Sequence, residues 1–196
     1  NQLIFDSFNF IAEKYLNKTF TDDEIISMFG PPENDILKRL CGENYESARK
    51  DYFNYYTENH WKAELYAGMK EILEHLKSKN YPIGIFTGKG RDASIITLIK
   101  LRIDHYFDLI VTGDDVKNHK PSPEGILKFT NKFKLKKEKV LMIGDSVADI
   151  EASREAGVKI ASVLWDSYGK EEVKTLSSDY YFHSVEELQN FLCNHL

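Results

Sequence analysis

The sequence has 196 residues, 42% of them hydrophobic and 13% aromatic, which is typical of one or two globular domains with a sizeable core. Its formal net charge of -5 and the mixing of its lysines with acidic residues argue against nucleic acid as a partner. No apolar run approaches the roughly 18 residues that a membrane-spanning helix needs, so no membrane association is predicted.

The cysteine content and the first residues indicate the compartment. Only two cysteines occur, Cys41 and Cys193, and they lie far apart without metal-site spacing. The chain begins with neither the charged region nor the continuous apolar region of a signal peptide. A cytoplasmic location is therefore expected.

The first third of the chain predicts helices only. Apolar residues recur at helical spacing from Leu3 to Tyr15, and Thr21-Asp-Asp-Glu24 is typical of a capping box that begins a second helix. Gly30-Pro-Pro32 ends that helix. A third helix is predicted over Glu33–Leu40 and a fourth over Tyr45–Trp61.

From residue 66 onward, helices and strands alternate. Strands are predicted over 81–86, 107–111, 140–143, 158–164 and 180–182, and helices over 69–78, 92–101, 123–133, 149–157, 170–176 and 184–192. Such alternation is typical of a parallel, right-handed doubly wound sheet. We therefore predict an α/β protein with an all-helical domain over residues 1–65 and a Rossmann-like α/β domain over residues 66–196.

Two carboxylates flank one predicted strand-to-helix junction. The apolar run Val140–Ile143 suits a buried strand that ends at Gly144, and Asp145 and Asp149 lie on either side of the next helix start. Ligands of open α/β sheets bind outside the carboxyl ends of the strands, so this pair could hold a hard cation through oxygen. Taken alone, the pattern is equally compatible with an N-cap at Asp145 or Ser146 and with a favourable helix dipole contact at Asp149.

Further polar groups follow the preceding strands. Thr87 comes directly after the strand ending at Phe86, and Lys120 lies in the loop after the next strand. Each has an ordinary explanation, since Thr87 suits a turn and Lys120 a solvated loop. If Thr87, Lys120 and the two carboxylates lie at one sheet edge, however, they supply what a phosphoryl group requires. Thr87 would provide a hydroxyl, Lys120 a positive charge and the carboxylates a metal site. Gly88 and Gly90 would also let backbone N–H groups approach a phosphate closely.

These segments closely resemble the motifs of the haloacid dehalogenase superfamily of phosphohydrolases. Thr87-Gly88 matches the second motif, Lys120-Pro-Ser-Pro-Glu124 the third and Gly144-Asp-Ser-Val-Ala-Asp149 the fourth, in the family's order and spacing. The initial helices, with Ser7-Phe-Asn9 and Phe29-Gly-Pro-Pro32, resemble the helical cap of the phosphoglycolate phosphatase and pyrophosphatase branch.

The resemblance implies a Mg²⁺-dependent phosphatase that works through a phosphoaspartyl intermediate. Thr87 and Gly88 would bind the transferring phosphoryl group, and Lys120 would stabilise its charge and the nucleophile. Asp145, assisted by Asp149, would hold Mg²⁺. The helical cap would select a small phosphorylated metabolite, and phosphoglycolate and pyrophosphate are the implied types.

The family's first motif, Asp-x-Asp-x-Thr after a central strand, has no counterpart in this sequence. Asp6 lies in a superficially similar segment, but Phe8 occupies the place of the second acid and the surrounding spacing is helical. In the family, the missing strand lies between the strands that end here at Phe86 and Ile143, so its loss would leave two edges unpaired. We therefore expect a segment carrying the nucleophile to precede these 196 residues.

Other functions stay open at this point. A catalytically silent phosphate-binding or regulatory protein would keep the pocket but lack the nucleophile, and a phosphomutase or phosphonate-cleaving relative would share the core motifs. Lys89 and Arg91, just beyond Thr87, are either substrate contacts or exposed charges at a helix start. The six histidines lack ligand spacing and are interpreted as surface or packing residues, with an exception left open for His119 because it is next to Lys120.

Overall fold

The computed structural model describes residues 1–165, 167 and 169–195. The α-helices are α1 (Gln2–Leu16), α2 (Asp22–Ile26), α3 (Glu33–Cys41), α4 (Tyr45–Glu58), α5 (Met69–Ser78), α6 (Arg91–Lys100), α7 (Glu124–Phe133), α8 (Val147–Ala156), α9 (Lys170–Thr175) and α10 (Val185–His195). The strands are β1 (Gly84–Phe86), β2 (Leu109–Val111), β3 (Leu141–Gly144), β4 (Lys159–Val163) and β5 (Tyr180–Phe182).

The predicted α/β class with helices at the start of the chain is confirmed. None of the helices in these described ranges has the length and apolarity needed to cross a bilayer.

The chain divides into two compact units. The first unit holds residues 1–65, 87–104 and 112–115, and the second holds residues 66–86, 105–111 and the described part of 116–196. The first unit thus includes α6, which the sequence pattern assigned to the α/β domain. The two-domain division at residue 65 stays a prediction.

The helices of the first unit pack around one core that is rich in aromatic side chains. Phe8 of α1 and Tyr52 of α4 are almost fully buried, with their ring centroids 5.1 Å apart. Burying a side chain of this size contributes about 1.5–3 kcal/mol. The capping box predicted at the start of α2 is confirmed, since Thr21 Oγ1 accepts from the Glu24 N–H and Glu24 Oε2 accepts from the Thr21 N–H. Helix α4 ends at Glu58, earlier than predicted, and a 3₁₀ turn over His60–Lys62 follows it.

The strands of the second unit are all parallel. β1 pairs with β2, and β4 pairs with β3 on one side and β5 on the other. Neighbouring residues of β4 face different helices: Ile160 packs with α8 and α9, and Ala161 packs with α5 and α10. This alternation is expected for a parallel strand that is covered on both faces.

Helix α7 packs closely against β1 because two glycines permit it. A Cβ at Gly125 would lie 2.2 Å from the Phe86 ring, and a Cβ at Gly84 would lie 2.5 Å from the Phe129 ring. Each contact therefore needs a residue without a side chain. The packing brings the end of β1 next to the start of α7, where the predicted lysine motif, Lys120–Glu124, ends.

The prediction of a buried strand over Val140–Ile143 is wrong in one respect. The strand runs over Leu141–Gly144, and Ile143 is 37% exposed. Within the described residues, β3 pairs on only one edge, with β4, and no ladder joins it to β1. The exposure follows from that open edge, because a parallel strand is buried by partners on both sides and by helices on both faces.

Candidate active site

The turn between β3 and α8 is organised by the carboxylate of Asp149. Ser146 is the N-cap of α8, and its Oγ accepts from the Asp149 N–H at 3.3 Å. Asp149 Oδ2 in turn accepts from the backbone N–H groups of Asp145 and Ser146 at 3.2 and 3.1 Å, and from Ser146 Oγ at 2.6 Å. The predicted cap at Ser146 is therefore confirmed, and Asp149 completes it as a capping box.

Lys120 forms an ion pair with the second oxygen of Asp149. Its Nζ lies 2.7 Å from Asp149 Oδ1, and the two side chains are only 17% and 3% exposed. The same Nζ lies 3.5 Å from the carbonyl oxygen of Phe86 and 5.4 Å from the centroid of the Phe86 ring. The structure thus brings the predicted lysine from the loop after β2 to the end of β1 and the start of α8. A cation held at this edge of a sheet suits an anionic ligand.

The loop that carries Lys120 is held by Glu124. The Glu124 carboxylate accepts from the backbone N–H of Lys117 at 3.1 Å and of Asn118 at 3.0 Å, and it pairs with Lys128 Nζ at 3.0 Å. The hydrogen bond from the Asn118 backbone, followed by those from Lys128 and the Lys117 backbone, lowers the pKa of Glu124 to about 2. Glu124 is therefore ionised at neutral pH, and its hydrogen bonds from the Lys117 and Asn118 backbone hold the loop against the start of α7.

Thr87 and Gly88 lie in the first unit, at the start of the loop that leads into α6. Thr87 Oγ1 accepts from the Lys89 N–H at 3.2 Å. Because the oxygen serves as an acceptor there, the hydroxyl proton is available to donate elsewhere. Gly88 is half-buried, and a Cβ on it would lie 3.4 Å from the Gly30 carbonyl oxygen.

The predicted site residues thus fall into two groups. In the second unit, Lys120 contacts Asp149, and Asp145 lies on the same turn with an exposed side chain. In the first unit, Thr87 and Gly88 share one loop. The roles assigned to all five residues stay predictions.

A sequence model of one protein family matches most of the chain, and this match decides the family. The model of the haloacid dehalogenase-like hydrolases matches residues 1–163. The chain belongs to this family. The resemblance seen in the sequence motifs is therefore confirmed.

Relatives of this haloacid dehalogenase-like hydrolase are found by both sequence and structure. Pyrophosphatase PpaX of Halalkalibacterium halodurans is 34% identical over 96% of this chain and 88% of its own. A protein of Thermotoga maritima that is inferred to be a beta-phosphoglucomutase is 27% identical, with a TM-score of 0.77 over 100% of this chain and 93% of its own. An inferred phosphoglycolate phosphatase of Haemophilus somnus has a TM-score of 0.80 over 97% and 90%, and at 20% identity it shows the fold alone.

The oxygen donors at the β3–α8 turn of this hydrolase are of the type that a hard cation such as Mg²⁺ takes. In the described parts of the chain, no three His, Cys, Asp or Glu side chains form a group that could hold a metal ion. Mg²⁺ needs only one or two protein carboxylates, because water and substrate phosphates complete its shell. Both oxygens of Asp149 already accept hydrogen bonds, so Asp145 is the candidate ligand and Asp149 orients the turn that carries it.

The structure separates the two interpretations left open for Lys89 and Arg91, and it identifies Glu33, a polar residue that the sequence interpretation missed. Lys89 is only 33% exposed, and its Nζ donates to Tyr56 OH at 3.2 Å and lies 3.9 Å from the buried Glu33. Arg91 is half exposed and pairs with Asp115. The exposed-charge interpretation thus suits Arg91 but not Lys89. No local pattern marks Glu33, since its partners lie more than 50 residues away.

Gly144→Ala should disturb the β3–α8 turn of this hydrolase. A Cβ at residue 144 would lie 2.5 Å from Asp149 Cβ and Cγ, so Asp149 would have to move. We expect a loss of about 1–3 kcal/mol in the free energy of unfolding, measured by urea denaturation. Gly169→Ala is the matched control, because the nearest atom to its Cβ would be 3.8 Å away and its φ is negative. Equal stability of the two variants would contradict the packing described for Gly144.

Glu124→Gln should weaken the pH dependence of stability. The pKa of Glu124 falls from 4.5 to about 2 in the folded state, so the ionised carboxylate stabilises the fold above about pH 4.5. That stabilisation is lost as the pH falls from about 4.5 to about 2. Urea midpoints of the wild type and the variant should therefore differ at neutral pH and converge near pH 2. Glu138→Gln, an exposed control, should follow the wild type throughout.

Proposed function

We propose that this hydrolase is a Mg²⁺-dependent phosphatase that hydrolyses a small phosphorylated metabolite, either a phosphoglycolate-type monoester or pyrophosphate, through a phosphoaspartyl intermediate. The observation that carries the proposal is the ion pair between the partly buried Lys120 and the buried Asp149 at the strand ends, beside Asp145. The name of the Halalkalibacterium halodurans relative, a pyrophosphatase, supports a small phosphorylated substrate.

Each residue has a distinct chemical role in this proposal. The positive charge of Lys120 stabilises the phosphoryl oxygens and the nucleophile, and Asp149 keeps the Lys120 ammonium group in place. Thr87 donates its hydroxyl proton to a phosphoryl oxygen, and the Gly88 backbone lies beside it. Asp145 would hold Mg²⁺, which when bound neutralises the charge that develops on the phosphoryl group.

We further propose that the nucleophile is an aspartate on a strand that pairs with the open edges of β1 and β3. The exposure of Ile143 and the separate β1–β2 and β3–β4–β5 ladders of the described residues support this position. The strand would come from sequence outside these 196 residues. Intact-mass measurement on the protein from its natural source tests this, and a mass equal to that of the 196 residues would contradict it.

A phosphate-release assay on the complete native protein tests the function. Pyrophosphate and 2-phosphoglycolate are offered with Mg²⁺, and parallel samples receive EDTA. Release of phosphate with Mg²⁺ and its loss with EDTA are expected. Release that persists in EDTA would exclude the metal, and no release from either compound would contradict the proposed substrates.

Assays on the same protein sample distinguish two alternative functions. A phosphomutase is supported by the likeness to the Thermotoga maritima protein, and it would move phosphate between positions of a sugar phosphate without releasing it. A catalytically silent phosphate-binding protein would bind inorganic phosphate in calorimetry and turn over no ester.

We also propose that the partner is a small molecule, not nucleic acid or a membrane, and that the protein is cytoplasmic. The net charge of -5 and the two free cysteines support this proposal.

A further inference from the structure

Glu33 is a buried carboxylate at the start of α3, directly after Gly30-Pro-Pro32. It is 5% exposed, which is rare for a glutamate unless its charge has partners. Its Oε2 accepts from the Gly90 N–H at 2.6 Å, although 57 residues separate the two in the chain. A Cβ at residue 90 would lie 2.9 Å from this oxygen, so the hydrogen bond depends on glycine there.

The Lys89–Gly90 peptide is held at both of its polar atoms. Glu33 accepts from its N–H, and its carbonyl oxygen accepts from the Gly113 N–H at 2.9 Å. The position of Gly113 is equally constrained, because a Cβ on it would lie 2.6 Å from the Gly88 carbonyl oxygen and 2.8 Å from Pro32 Cγ. The peptide is therefore held from two sides by residues of the same unit.

The Lys89 side chain joins the same network. Its Nζ lies 3.9 Å from Glu33 Oε1 and donates to Tyr56 OH at 3.2 Å. Tyr56 OH is 2.8 Å from Thr97 Oγ1, which lies 3.2 Å from His60 Nε2. Glu33 thus holds both the side chain of Lys89 and the peptide that follows it, while the remaining contacts connect that side chain to α4 and α6.

The Lys89 N–H belongs to the preceding Gly88–Lys89 peptide, whose carbonyl oxygen lies against Gly113, and it donates to Thr87 Oγ1 at 3.2 Å. We propose that Glu33 is a positioning residue that holds the Lys89–Gly90 segment so that the Lys89 N–H occupies the acceptor side of the Thr87 hydroxyl. The hydroxyl proton is then directed away from the loop and toward a phosphoryl oxygen. The catalytic part of this inference rests on the role proposed for Thr87.

The test compares four variants of the complete native protein. Glu33→Ala removes the carboxylate, and Glu33→Asp shortens it by one methylene so that it no longer reaches Gly90. Glu33→Gln keeps an oxygen of the same length that can accept from the Gly90 N–H. Glu43→Ala removes an exposed glutamate in the same unit and is the control.

Hydrogen–deuterium exchange measures the loop without relying on activity. Amides of residues 88–91 should exchange on the order of 10-fold faster in Glu33→Ala and Glu33→Asp than in the wild type. Glu33→Gln and Glu43→Ala should stay near the wild-type rates. Exchange that rises equally across all helices would indicate a general loss of stability and would overturn the proposal. If Glu33→Ala does not fold, the comparison of Glu33→Asp with Glu33→Gln decides.

Steady-state kinetics measure the consequence for Thr87. The kcat for phosphate release should fall on the order of 10-fold or more in Glu33→Ala and Glu33→Asp, with KM changed less, and recover in Glu33→Gln. An unchanged kcat in a variant whose loop exchanges faster would overturn the positioning role. If the wild type releases no phosphate, the proposed function fails, and the exchange measurement alone decides whether Glu33 orders the loop.

Discussion

Replacing Asp149 with alanine should lower the free energy of unfolding by about 2–4 kcal/mol, because the variant leaves the partly buried ammonium group of Lys120 without its partner. It also removes the carboxylate that accepts from the N–H groups of Asp145 and Ser146, so the reciprocal half of the α8 capping box is lost, although Ser146 Oγ can still accept from the N–H of residue 149. Urea unfolding monitored by circular dichroism measures the change. A loss below about 1 kcal/mol would show that the pair does not stabilise the fold.

The double variant separates the ion pair from the cap. Lys120→Met alone should cost less than Asp149→Ala, because Asp149 keeps its hydrogen bonds from the Asp145 and Ser146 backbones and from Ser146 Oγ. Removing both charges should be less destabilising than the sum of the single changes, with a coupling of about 1–3 kcal/mol. Additive losses would mean that the two side chains act independently despite their 2.7 Å contact.

Replacing Asp145 with asparagine should reduce Mg²⁺-dependent phosphate release at least on the order of 100-fold. The change removes the negative charge proposed to hold the cation while keeping the size of the side chain. Because the Asp145 side chain is exposed, the urea midpoint should change little. Phosphate release at several Mg²⁺ concentrations is the measurement, and high Mg²⁺ should restore part of the activity.

The control for this prediction is Asp104→Asn, which changes an exposed aspartate of the first unit. It should leave phosphate release within about 2-fold of the wild type, as expected for a surface substitution away from the site. Unchanged turnover in Asp145→Asn would remove this residue from the proposed metal site. A similar loss in both variants would indicate an effect of charge alone.

The features that the sequence predicted well are those encoded by neighbouring residues. The capping box at Thr21 and the cap at Ser146 each need only residues three positions apart. The α/β class follows from the alternation of short apolar runs with helical periodicity, which each segment carries by itself. The motifs around Thr87, Lys120 and Asp149 are likewise local, so the family could be inferred before any coordinates.

Burial of a strand edge could not be predicted in the same way. Val140–Ile143 has the composition of a buried strand, yet Ile143 is 37% exposed because its surroundings depend on which strands pair with β3. The same limit applies to Glu33, since a glutamate after Pro32 is ordinarily a solvated charge at a helix start. Its burial follows only from the contact with Gly90, far along the chain.

By itself, the sequence determined a parallel α/β protein of this hydrolase family and a strand, turn and helix within residues 140–157, because hydrogen bonds and apolar periodicity over a few residues specify each of these. The tertiary structure alone decided that both oxygens of Asp149 are engaged, one by the cap of its own helix and one by Lys120, 29 residues earlier. It also decided that Glu33 holds the loop beyond Thr87. The reason is physical: a charge is buried only where folding brings partners to it, and those partners are distant in the sequence.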